Sequence, residues 1–103
     1  MGFADIAPGG TITNGKNVQL VSHIAGSGVY CLKLTTGAPQ NVSAMIDNSG
    51  ADPRSAFVAG TINASAVAGG CPAGSQIDIA TGDVGNPASS GDFADQAFFV
   101  TIN

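Results

Sequence analysis

Short apolar runs recur along this chain at a period of two, cut apart by glycine-rich turns. In residues 28–35, "GVYCLKLT", Tyr30, Leu32 and Leu34 share one face, and Val29, Cys31 and Lys33 share the other. Val18, Leu20, Ser22 and Ile24 alternate with Gln19, Val21 and His23. Val42, Ala44 and Ile46 form an inward set, as do Ile77 and Ile79 against Gln76 and Asp78. The last run puts Phe98, Val100 and Ile102 on one side and Phe99 and Thr101 on the other, so both of its faces are partly apolar. Period two is the repeat of a strand, whose successive side chains point to opposite faces of a sheet.

The segments "PGG", "NG", "GSG", "TGAP", "NSGADP", "AGG", "PAGS" and "GDVGNPASSGD" punctuate these runs. Strands are predicted at 2–7, 10–14, 16–25, 28–35, 41–48, 55–63, 75–81 and 96–103. Asn14-Gly15 is read as a type I′ hairpin turn, since both central residues of that turn need positive φ. Residues 82–95 form the one long loop. Regular turns between short β-branched runs predict an all-β fold, an antiparallel β-sandwich of Ig-like or Greek-key type with seven or eight short strands.

Composition sharpens this picture. At 103 residues the chain is the size of one domain, so 1–103 is taken as a single sandwich. Every acidic residue is Asp, and the only basic ones are Lys16, Lys33 and Arg54. Glu, Lys and Arg normally coat helices because they lose little rotamer freedom there. Their scarcity, beside 15 glycines, argues against any helix longer than a turn or two. The net charge of −4 speaks against nucleic acid, whose affinity comes from cations on phosphates, and against an anionic membrane. No apolar run approaches the ~20 residues of a membrane-spanning helix. The opening "MGFADIAPGG" lacks the basic start and apolar centre of a secretory leader.

Two cysteines, Cys31 in a strand-like run and Cys71 in a Gly-Gly-Cys-Pro-Ala-Gly turn, read as one disulfide in an oxidising compartment. A loop of that length contributes roughly 4 kcal/mol in the chain-entropy model. The alternative, a nucleophilic or metal-binding thiol, needs a base or further ligands, and the chain has one histidine and no CxxC.

Other candidate chemistry is sparse. His23 could act as a general base, but no nucleophile signature accompanies it, and a hydrogen-bonded strand histidine is the plainer reading. Asp83, Asp92 and Asp95 bracket the long loop and could ligate Ca²⁺, though without EF-hand spacing; no cofactor or metal is expected. Asp78 and Asp83 could face each other across a turn as a hydrolase pair, yet a glycosidase needs aromatic platforms and the chain has no Trp and one Tyr. Lys16 and Asn103 suggest an isopeptide pair, but no Glu is present to assist. Asn41 and Asn63 match glycosylation sequons.

The order "GFADIAPGGTITNGKNV", "GSGVYCLKL", "GCPAGSQIDIATGD", "FADQAFFVTIN" resembles a C-terminal β-domain of secreted or surface-exposed actinobacterial proteins. The shared motifs are G-x-Y-C and C-P-A-G-[ST], between a "G-[FY]-A" start and a final "FxV" strand. Similar segments follow fibrous repeats, and related ones end phage-tail-like proteins. The resemblance implies an extracellular module with no assigned activity, and only Cys31 and Cys71 transfer from its motifs. The expected function is therefore a non-catalytic interaction or capping domain. Self-association, with a trimer as one form, is expected through the second face of 96–103 and the small residues 64–70. A surface glycan or protein is the other expected partner. A hydrolase using Asp pairs or His23, or a Ca²⁺-stabilised carbohydrate-binding module, is the alternative.

Overall fold

The computed structural model describes residues 1–47, 56–62, 71–83 and 92–103. These form β1 (Gly2–Ile6), β2 (Ile12–Lys16), β3 (Val18–His23), β4 (Val29–Leu34), β5 (Val42–Ile46), β6 (Ala56–Ile62), β7 (Ile77–Asp83), β8 (Asp92–Phe93) and β9 (Phe98–Ile102), with no helix among them. One sheet has the order β2-β1-β9-β5; the other runs β3-β4-β7-β6, and β8 also pairs with β7. All pairings are antiparallel.

The core lies between the two sheets. Ala4, Ile6, Phe98, Val100 and Ile102 come from one, and Tyr30, Leu32, Leu34, Ile77 and Ile79 from the other. These are the inward positions that alternation predicts for β4, β7 and β9. Burying each large side chain stabilises by about 1.5–3 kcal/mol, so a core this small needs help from covalent and polar ties. The Tyr30 ring meets the Phe98 ring edge-on at 4.9 Å, linking the sheets at the centre.

The loop expected at 82–95 is narrower, since β7 runs to Asp83 and Asp92–Phe93 form β8. Two further local expectations fail for identifiable reasons. Asn14-Gly15 is not a turn: Asn14 pairs with Asp5 and Gly15 with Ala4 inside the β1–β2 ladder. The hairpin closes instead through residues 7–11, where Gly10 takes φ +96°. The chain leaves this sheet at Asn17, held at φ 59°. Its side-chain amide donates to the Met1 and Thr36 carbonyls, while its oxygen accepts from the Thr36 amide and the Thr35 hydroxyl. Asparagine tolerates this left-handed conformation because its short polar side chain bonds locally.

The second failure is in β3. Leu20 pairs with Leu32, but Ser22 pairs with Cys31 and His23 with Tyr30, so a bulge falls at Val21. One inserted residue inverts the alternation beyond it. Ser22 and Ile24, which alternation groups with Val18 and Leu20, are moved off that face, and His23 turns toward Tyr30 instead.

Candidate functional site

The bulge stacks the His23 ring on Tyr30, with centroids 4.0 Å apart and planes within 4°. Its Nδ1–H donates to the Val29 carbonyl at 2.8 Å, and its Nε2 faces Asp95 Oδ2 at 3.2 Å. A carbonyl can only accept, so Nδ1 carries the proton of that bond. With both bonds made, both ring nitrogens are taken up by groups of the protein itself. The ring is also sealed in, its side chain only 3% exposed.

Asp95 does more than meet His23. Its Oδ2 accepts the Gly26 amide and its Oδ1 the Gly28 amide, each at 2.8 Å. Burial alone would raise its pKa; those two amides and His23 outweigh this and lower it. The carboxylate thus clasps the β3–β4 turn. Gly28 is required there: at φ +70° a Cβ would sit 2.4 Å from the Thr81 carbonyl.

Around this clasp the crossover from β8 to β9 is tied down residue by residue. The Thr81 hydroxyl donates to the Ala94 carbonyl at 2.7 Å and accepts the Gln96 amide. Gln96 Nε2 donates to Asp83 Oδ1 at 2.8 Å. The Tyr30 hydroxyl donates to the Pro8 carbonyl at 2.6 Å, and its pKa is pushed up to about 12, first by burial and then by the Asp95 charge.

The other candidates are kept apart. Asp78 and Asp83 both lie in β7, five residues apart and on opposite faces, so they do not form a carboxylate pair. Asp78 is opposite Cys31 in the ladder and buried, which raises its pKa; among the described residues its Oδ1 has no hydrogen-bond partner. Lys16 and Asn103 are separated by β1: Lys16 is exposed in β2 opposite Phe3, and Asn103 Nδ2 donates to Asn41 Oδ1. Of the loop acids, Asp83 and Asp95 are engaged as above, and residues 84–91 lie outside the described residues, as do 64–70 and Asn63. Among the described residues no group of three His, Cys, Asp or Glu side chains has the geometry to hold a metal ion.

Cys31 and Cys71 are bonded, with Cα atoms 5.6 Å apart, inside the usual range. The bridge ties the segment leading into β7 to the outward face of β4.

One surface feature was only half visible in the sequence. On the outward face of the β2-β1-β9-β5 sheet, Phe3, Phe99 and Met45 are 43%, 40% and 62% exposed. Met45 and Asp5 flank Phe99 on the neighbouring strands, and Phe3 lies diagonal to it across the β1–β9 ladder. The alternation in "GFADI" could have placed Phe3 there, while Asp95's role had no local signal. At one end this face runs into an open recess of about 380 Å³, lined by Asp5, Thr13, Asp47, Asp95 and Gln96 among others.

No protein-family model, curated protein or solved structure matches the chain.

Proposed function

We propose that this chain is a non-catalytic β-sandwich module of a secreted, surface or fibre-like protein, serving as an interaction or capping domain. The observation that carries this reading is the occupation of His23. The only imidazole is stacked, sealed from solvent and bonded through both nitrogens to groups of its own chain. A general base must reach a substrate proton with a free lone pair, and this one does not. The separation of Asp78 from Asp83 weakens the carboxylate alternative in the same way. The disulfide supports an oxidising compartment. The outward face carrying Phe3, Phe99 and Met45 is the contact surface of the module, because exposed apolar patches mark interaction sites.

The test is turnover of glycoside, ester and peptide substrates by the wild type beside His23→Ala, Asp78→Asn and Asp83→Asn, with folding followed by circular dichroism. The expected result is no turnover that depends on any of these residues. Hydrolysis lost in a folded His23→Ala protein would overturn the module reading.

A further inference from the structure

Resting on that reading, we propose that the outward face of the β2-β1-β9-β5 sheet docks an extended peptide segment of another protein. An apolar side chain of the segment lies on Phe3, Phe99 and Met45, and an Arg or Lys side chain enters the recess beside Asp5. The size of the face comes first. Four five-residue strands present a surface of about 17 by 19 Å, on the order of 300 Å². A stable dimer buries roughly 800 Å² per partner, so this face suits a short segment better than a second domain.

The charges then choose the occupant. Asp5 stands opposite Phe99, within the apolar patch, and among the described residues no hydrogen bond or ion pair engages its carboxylate. A second copy centred on the patch by a twofold axis would set Asp5 against its own mate or against an aromatic ring. A cationic side chain entering the recess meets it favourably. The recess is at the small end of ligand cavities, which run ~300–1,000 Å³, and suits one long side chain. Lys16 is the one cation of this face among the described residues. It lies opposite Phe3, at the end away from the recess, so the segment's basic residue is directed to the recess end. In an extended segment, residues two apart share a face about 7 Å apart, which matches the step from Ala97 at the recess, just before β9, to Phe99 within it.

The experiment is selection of a displayed library of random octapeptides on the full 103-residue protein, with counter-selection on a Phe3→Ser/Phe99→Ser/Met45→Ser variant. Met45→Ser alone serves if the triple variant does not fold. The account expects enriched peptides with Arg or Lys two residues from a Leu, Phe or other large apolar residue. Amide shifts on binding should be confined to β1, β5, β9 and residues 95–97. Asp5→Asn should weaken these peptides about three- to fivefold, and should leave versions with the basic residue replaced by Ser unchanged. Enrichment of apolar peptides without a basic residue overturns the cationic assignment. No enrichment over the variant, or a sedimentation mass showing a dimer lost in Met45→Ser, overturns the peptide as occupant and leaves the module reading standing. Cleavage of the selected peptides dependent on His23 overturns the module reading itself.

Discussion

The outward faces of the two sheets have opposite fates. On the β3-β4-β7-β6 sheet the central positions are closed by the protein's own chain: Cys31 and Asp78, neighbours in the ladder, are only 4% and 8% exposed, and Cys31 is bonded to Cys71. Only toward the end of that sheet does an aromatic ring stand out, where Phe93 leans on Phe57 across Gly82. On the β2-β1-β9-β5 sheet, Phe3, Phe99 and Met45 face solvent, with no comparable cover among the described residues. One face is closed by the fold itself, and the other is the face proposed to meet a partner. The difference teaches where substitutions should harm the fold and where they should harm only binding.

The largest effect should come from the closed side. Replacing Cys31 and Cys71 together by Ala should lower stability by about 3–4 kcal/mol, a drop in melting temperature of roughly 15–25 °C, read by thermal circular dichroism. A drop of a few degrees would mean that the bridge constrains little. Next comes the clasp. Asp95→Ala strands the Gly26 and Gly28 amides and the His23 ring and should cost about 2–3 kcal/mol. Its pH dependence has a definite sign. The folded pKa of Asp95 lies below the ordinary 3.8, so its stabilisation is complete above that pH and fades as pH falls through the lowered value. Asp95→Ala should flatten this acid limb of the stability curve.

Asp78 should behave oppositely. Its folded pKa is raised above 3.8 by burial, so the folded state favours the protonated form, and that stabilisation is lost as pH rises through the raised value. Asp78→Asn should remove this falling limb and leave the melting temperature at pH 7 equal to or above wild type. A marked loss at pH 7 would show that the carboxylate makes a needed contact. The smallest effect belongs to the open face, where Met45→Ser should change stability by no more than about 0.5 kcal/mol while reducing peptide capture. Millimolar Ca²⁺ and EDTA should leave the melting temperature of the wild type unchanged.

Where side-chain alternation is unbroken, the fold was legible. The inward faces of β4, β5, β7 and β9 follow directly from period two, and a single pair of cysteines left one intramolecular bridge to expect. Legibility ended where a local signal was overruled by distant pairing. Asn14-Gly15 has turn chemistry, yet the ladder with Asp5 and Ala4 absorbs it. The bulge at Val21 has no marker in the sequence, so His23 could not be placed beside Tyr30. Asp95 reads as one more loop acid, because its partners at 23, 26 and 28 lie about 70 residues away. The candidate site was accordingly less legible than the fold, since it is built from contacts between segments rather than from a motif within one.

The contrast between the two faces can be measured directly by NMR, using a neutral paramagnetic gadolinium chelate as a probe of solvent access. The account predicts strong relaxation enhancement for side-chain protons of Phe3, Phe99 and Met45, and weak enhancement for those of Cys31 and Asp78. Equal enhancement on both faces, or stronger enhancement at Cys31 and Asp78, would contradict it.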